Sequence, residues 1–366
     1  MIPLRGWKIA IMTTMNDDTA LRQHLNKVVC LGGLQEIDTA LDAAWKQEVV
    51  LVGEAIIDEY VHVSPLGRAS KENILVVREE ERETFGGGVL AADVMARQLC
   101  KEVYTYTSQF PMAFDEPHGR VNGYGWLPSI RKERYIDQTF GHKLFEVYHQ
   151  DGAEVADEDR MRSDTLMRLE DLGKRGVVII TDFGHGMIDS SMASALVRAA
   201  PWVAVNTQAN AGNMGFNLIS KYFFKPGHRR PALVIVDEPE ARLALVDQHS
   251  SLAQLAGNLL GRSSAEVVII TGGSKGAAVT WHESDGYIHD VITCPALTGD
   301  NHPVRDTMGA GDAFLVTASI LLRAGLHPVI TTFMGNIVGA LKCKMVGHRD
   351  TITREQIMEM AKELLG

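Results

Sequence analysis

The stretch "DTMGAGDAF" at 306–314 opens a long apolar run in this chain of 366 residues. Glycine-rich backbone ahead of a helix exposes N–H groups, and the helix dipole adds partial positive charge at the same place. Gly309, Ala310 and Gly311 therefore read as a site for an anion. Asp312 sets a carboxylate beside that anion, an awkward pairing that a proton-accepting task would explain. The plainer reading of Asp312 is a helix cap. The plainer reading of the glycines is close packing of the helix on a strand.

Further chemistry-bearing stretches lie along the chain: "FGGGVLAADVMARQL" (85–99), "TDFGHGM" (181–187), "DEPE" (237–240), "TGGSKGA" (271–277) and "GNIVGAL" (335–341). No Gly-x-Gly-x-x-Gly opens a helix from the first strand, which argues against a dinucleotide fingerprint. A Walker A loop is absent too. The net charge of −10, without a basic stripe, makes nucleic acid an unexpected partner. The four cysteines stand far apart with no Cys-x-x-Cys pair, so neither a zinc site nor a disulfide framework is expected. No run approaches the ~18 apolar residues of a membrane span. "WKIAIMTTMNDD" is interrupted too soon for a signal peptide. A cytoplasmic protein without membrane contact is expected.

The elements that must hold these residues follow from periodicity. "VVLV" (49–52), "VVII" (177–180), "VAV" (203–205), "LVIV" (233–236) and "VVII" (267–270) are continuous β-branched runs, as in strands covered on both faces. Between them 88–99, 189–200, 251–262 and the stretch after Asp312 carry apolar residues at helical spacing, with Asp189 and Ser250-Ser251 as caps. The order predicts an α/β, doubly wound, mainly parallel sheet with helices on both faces. Two excursions, near 58–82 and 130–151, are too polar for a two-sided core. They predict a small second sheet, read as a lid over the site. Residues 1–46 read as an extension with a helix over 35–47, and 47–366 as the main domain; the first 34 residues have no clear reading.

Together these motifs resemble the ribokinase-like (PfkB) carbohydrate kinases, from about residue 47 onward. "DTMGAGDAF" resembles the C-terminal signature of that family. The 85–99 stretch is similar to its Gly-Gly element, and 271–277 to its nucleotide loop. "GEAIIDEYVHV", "GRASKENILVV" and "TDFGHGM" most resemble the kinase half of bacterial heptose-phosphate kinases of ADP-heptose synthesis. The resemblance implies an ATP-dependent kinase that phosphorylates a hydroxyl of a sugar or sugar phosphate, a heptose-phosphate-like acceptor first. A nucleoside or ketose kinase of the same family, or a non-catalytic nucleotide- or sugar-phosphate-binding regulator, stays open. A homodimer paired through lid residues such as Tyr60, Val61, Val63, Tyr135, Leu144 and Tyr148 is also implied.

By the same resemblance Asp312 is the general base, and the backbone of Gly309, Ala310 and Gly311 holds the transferring phosphoryl group. Asp58 grips sugar hydroxyls, and Gly87 and Gly88 let the sugar approach. Arg68 and Lys71 are a basic pair for a phosphate on the acceptor, or else a solvated lid face. Asp182 and His185 line the same pocket. Asp237 and Glu240 stand where Asn-x-x-Glu is usual, near nucleotide and hydrated Mg²⁺. Thr271, Gly273 and Gly276 hold the nucleotide's phosphate and ribose, with Asn336 near the base. Asp306 and Thr307 lie beside a K⁺ site in relatives. Ala91 replaces the family's sugar-binding asparagine, with Asp93 two residues on. No stretch resembles a nucleotidyltransferase, and the sequence leaves open whether one exists as a separate partner chain.

Overall fold

The β-branched runs become strands that are buried from both sides. The computed structural model describes residues 15–107, 121–123, 130–150, 163, 166, 176–223, 230–263, 265–283, 286–297, 304–347 and 350–366. Strands β1 (Glu48–Gly53), β4 (Glu102–Thr107), β5 (Val121–Gly123), β8 (Val177–Asp182), β9 (Val203–Thr207), β10 (Leu233–Asp237) and β11 (Val267–Thr271) run parallel. Two antiparallel strands, β12 (Ala277–Trp281) and β13 (Ile292–Cys294), finish one edge. The order is β13-β12-β11-β10-β9-β8-β1-β4-β5.

The pleat divides each run between two cores. Val49, Leu51, Val177, Ile179, Leu233, Ile235, Val267 and Ile269 face one; Val50, Val52, Val178, Ile180, Val234, Val236, Val268 and Ile270 face the other. Each such side chain contributes roughly 1.5–3 kcal/mol by burial, which is why the runs are continuous rather than alternating. Helices α2 (Gly33–Trp45), α3 (Val89–Leu99), α7 (Ala310–Arg323), α8 (Pro328–Lys342) and α9 (Arg354–Leu365) cover the first face. The second is covered by α4 (Ser190–Ala199), α5 (Glu238–Leu245) and α6 (Leu252–Ser263). Asp189 caps α4 by accepting from Met192 N–H at 2.8 Å, as expected of an Asp at that position.

The amino-terminal extension is built into this body. Val28 of α1 (Met15–Cys30) and Ile37, Ala40, Leu41 and Ala44 of α2 join the same core as α7 and α8. Residues 1–14 lie outside the described residues. No helix among the described residues is long and apolar enough to cross a membrane.

The two polar excursions form one four-stranded sheet: β2 (Ala55–Arg68), β3 (Leu75–Gly88), β6 (Ile130–Asp137) and β7 (Lys143–Gln150), in the order β3-β2-β6-β7. Residue 151, the end of the second predicted excursion, lies outside the described residues. One expectation about this sheet is corrected. Tyr60, Val61 and Val63 are each 0% exposed within a single chain, so they pack inward and are unavailable to a second subunit.

β1 sits between β8 and β4, so the chain leaves it first to one side and later to the other. At such a reversal the connections diverge at the carboxyl ends of the strands and leave a crevice. Glu54, Asp182, Gln208, Asp237 and Thr271 all lie at or just beyond carboxyl strand ends of this sheet, and Asp58 lies near the start of β2, which follows directly from β1.

Candidate active site

Gly309 starts α7 from a left-handed conformation, φ 72°, which a glycine adopts without strain. Ala310 N–H turns back to Thr307 O at 3.3 Å. Among the described residues the N–H groups of Gly309, Gly311 and Asp312 have no intramolecular acceptor. Gly311 is exposed, and a Cβ placed on it would meet nothing within 4 Å. The helix mouth is therefore open, with unpaired donors and the positive end of the dipole facing the same space. Relative to the sequence reading, Ala310's donor is engaged and that of Asp312 is free.

Asp312 is half-buried in the first turn of α7. Gln208, just past β9, donates from Nε2 to Asp312 Oδ1 at 2.8 Å. Burial first, and then the charge of Asp58, push the Asp312 carboxyl up to about 6; Gln208, Lys132 and Lys342 pull the other way. Gln208 was missed in the sequence, although a polar "NTQAN" directly after a buried strand marks a carboxyl end facing a crevice.

Asp58 is 4% exposed, on β2. Arg134 Nη1 donates to Asp58 Oδ1 at 2.5 Å. Directly across the β2–β6 ladder stands Lys132. Lys132 is 7% exposed, its Nζ lies 4.9 Å from the Tyr148 ring centroid, and no carboxylate pairs with it among the described residues. Burial holds its ammonium below the usual lysine range, while Asp58, Glu146 and Asp312 work against that. The strand β6 alternates: Lys132 and Arg134 face Asp58, whereas Arg131 and Glu133 face the opposite side with Arg82 and Glu59. Gly87 and Gly88 close β3 behind Asp58. A Cβ on Gly87 would stand 2.0 Å from Asp58 Oδ2, and one on Gly88 2.4 Å from Glu54 O.

Several expected contacts are corrected. Arg68 and Lys71 are exposed at the far end of the β2–β3 hairpin. Arg68 is ten positions along one strand from Asp58, about 30 Å at ~3.3 Å per residue, so the pair faces solvent. Asp182 is 0% exposed. It accepts from Tyr222 OH at 2.9 Å and Gly184 N–H at 3.2 Å and pairs with Lys221 Nζ at 2.5 Å, which leaves it no outlet to a ligand. Beside it Glu54, also 0% exposed, accepts from Phe183, His185 and Met187 N–H. Burial and then the charge of Asp182 push the Glu54 carboxyl up to about 7. Asp93 does not replace the asparagine missing at Ala91: it is 0% exposed, paired with Arg97 at 2.7 Å and accepting from Thr105 at 2.6 Å. His185 is half-buried and its Nε2 is without a partner among the described residues. Burial, then the Lys132 charge, lower it to about 4.

On the nucleotide side, Asp237 caps α5. Its Oδ1 accepts from Glu240 N–H and Glu240 Oε2 accepts from Asp237 N–H, both at 2.8 Å. The helix-start reading of Asp237 is what the structure shows. Glu240 also accepts from Ala209 N–H at 3.1 Å. Burial, then the charges of Asp237 and Asp312, push Glu240 up to about 8. Negative charge crowded in this way is what a divalent cation relieves, so the donor set suits one. Among the described residues no three acidic, His or Cys side chains converge as a direct metal cage. Contact through water and nucleotide phosphates is what this set allows.

Thr271 ends β11, and the turn through Gly273 to Gly276 leads into β12. A Cβ on Gly276 would meet Cys294 O at 2.1 Å, so this glycine serves close packing of the turn on β13. Asn336 Nδ2 donates to Cys294 O at 3.2 Å and Pro295 O at 3.0 Å, fixing the same segment. Lys275, beside Gly276, pairs with Glu238 at 2.6 Å and ties this turn to the start of α5.

With this arrangement in view, known proteins supply a comparison. No family model matches the chain. Phosphofructokinase-2 from Escherichia coli, solved in complex with potassium, superposes with a TM-score of 0.65 at 13% identity, covering 87% of this chain and 99% of that one. Ribokinase from Arabidopsis thaliana, complexed with ribose and ATP, gives 0.60 at 16% identity with the same coverage. The chain has the ribokinase-like fold. Among curated proteins, the bifunctional protein HldE of Paramagnetospirillum magneticum is 24% identical over 331 residues, 86% of this chain. That of Rhodopseudomonas palustris strain HaA2 is 20% identical over 315 residues, 80% of this chain. The ribokinase-like chain spans about three fifths of the length of these relatives, 63% and 59%.

Proposed function

We propose that this chain is a kinase that moves the γ-phosphoryl group of ATP to a hydroxyl of a sugar or sugar phosphate, with a heptose-phosphate-like acceptor. The observation that carries the reading is the open mouth of α7, where the free N–H groups of Gly309, Gly311 and Asp312 adjoin an oriented carboxylate. The amides neutralise charge on the phosphoryl group in transfer. The acceptor hydroxyl gives its proton to Asp312 while its oxygen bonds to phosphorus and the bond to the β-phosphate oxygen breaks, releasing ADP. A base near 6 is ionised at neutral pH yet more basic than an ordinary carboxylate, which suits general-base assistance of ~10²–10⁴-fold.

Asp58, steered by Arg134 and Gly87, would accept hydrogen bonds from the sugar. Lys132, buried and without an ion pair among the described residues, would meet negative charge on the acceptor or on the group in transfer. Thr271, Gly273, Gly276 and Asn336 would frame the nucleotide. Glu240 and Asp237 would hold a hydrated Mg²⁺, which screens phosphate charge when bound. The lid sheet would shield the crevice from water, and its exposed faces would pair in a homodimer.

The likeness to the HldE proteins supports the heptose-phosphate acceptor. The second activity of those bifunctional proteins is outside this reading. Ala91, with Asp93 held by Arg97, favours a second reading within the class: a ketose or nucleoside acceptor that does without that contact. A non-catalytic binding protein would have no use for a base oriented by Gln208. ADP release from Mg-ATP across sugars, sugar phosphates and nucleosides tests the proposal. Turnover with one acceptor class supports it; nucleotide-dependent thermal stabilisation with no turnover across the panel favours the binding protein.

A further inference from the structure

Asp306 opens the loop that leads to the anion site and is 8% exposed. Its Oδ1 accepts from Lys143 Nζ at 2.8 Å and Met308 N–H at 3.2 Å. Its Oδ2 accepts from Tyr60 OH at 2.7 Å and Gly347 N–H at 3.0 Å. A carboxylate offers about four lone-pair positions, and here all of them are taken. One of the four donors is a full positive charge, brought by β7 of the lid sheet from 163 residues away in sequence. A second ammonium, that of Lys342, is 7% exposed and lies in the field of Asp306 and Asp312.

Family resemblance would set a monovalent cation beside Asp306 and Thr307. The residues present do not fit one. Asp306 has no lone pair to give it, and the ion would enter next to two ammonium groups. We propose that the Lys143 ammonium takes the place of that cation, so that the positive charge beside the anion site is supplied by the lid and potassium is not required. For its effect on turnover this rests on the kinase reading above. The occupation of Asp306 rests on the four contacts alone. The lid sheet then has a second task besides shielding, because withdrawing β7 would strip Asp306 of its counter-charge.

The test is thermal unfolding of the full chain in potassium, sodium and tetramethylammonium chloride at equal ionic strength, with ADP release measured in the same salts. The parent should melt within about 1 °C in all three salts and turn over within about twofold. Lys143→Met should melt lower in tetramethylammonium and recover saturably with potassium, with turnover following. Lys143→Arg keeps the charge and should stay indifferent to potassium. Saturable, potassium-specific stabilisation of the parent overturns the proposal, as does a Lys143→Met chain indifferent to potassium. If no chain turns over but the melting pattern holds, the kinase reading fails and the Asp306 assignment stands.

Discussion

Gln208 Nε2 lies 2.8 Å from Asp312 Oδ1, joining the end of β9 to the mouth of α7. The bond fixes one carboxylate oxygen, and the proposed reaction assigns the other to a substrate hydroxyl. Asp312 accepts a proton only when ionised, so turnover is expected to fall as pH drops through about 6. Gln208→Ala removes a donor that favours the ionised form. The carboxyl then rises further, the acid limb moves to higher pH, and kcat falls about tenfold. A kcat profile between about pH 5 and about pH 8 checks this; a limb in an unchanged place contradicts it.

Gly87 and Asp58 are coupled by space. A side chain at 87 must displace the Asp58 carboxylate and so disturb its pair with Arg134. Gly87→Ala is expected to destabilise the fold by about 1–3 kcal/mol and to raise the acceptor KM. In an Asp58→Ala background the obstruction is gone, and the same change should be nearly neutral. Denaturant unfolding of the four chains measures the coupling, and additive effects would count against it.

The basic residues beside Asp58 are those of β6, not the hairpin tip. Lys132→Ala is expected to raise the KM for an anionic acceptor about tenfold or more, with less effect on a neutral analogue. Arg68→Ala and Lys71→Ala, far along the hairpin, should change KM by less than about twofold. Steady-state kinetics with one phosphorylated and one unphosphorylated acceptor separates the two cases.

This contrast shows what the sequence made legible. The five core strands stood out because two-sided burial leaves unbroken β-branched runs, and the mouth of α7 because a glycine-rich turn stands directly before a long apolar run. The Lys132 and Arg134 face was hidden because "IRKERYID" carries charge on both faces of β6. Which face meets Asp58 is decided by pairing with β2, a contact about 75 residues away in the chain. Arg68 and Lys71 looked close to Asp58 because sequence distance does not reveal that β2 continues for ten further residues. Asp182 read as a ligand-facing acid because Tyr222 and Lys221, which seal it, come forty residues later.

The four-stranded sheet offers an association surface that excludes the buried Tyr60, Val61 and Val63 but includes Tyr148, which is 39% exposed. Ile74 (54% exposed), Leu75 (51%), Phe140 (73%) and Phe145 (44%) are apolar and outward. Exposed sheet faces and edges of this kind favour pairing with another chain. Sedimentation equilibrium at micromolar concentration is expected to show a homodimer, and Phe145→Glu to shift it toward monomer with the fold intact. A parent that is monomeric throughout contradicts the proposed pairing.

The most direct test of the phosphoryl-transfer account is Asp312→Asn, assayed for ADP release with the acceptor that the parent uses, alongside nucleotide-induced thermal stabilisation. The account predicts nucleotide binding close to that of the parent and a kcat lower by about 10²-fold or more. An Asp312→Asn protein free of contaminating kinase that turns over like the parent would contradict it.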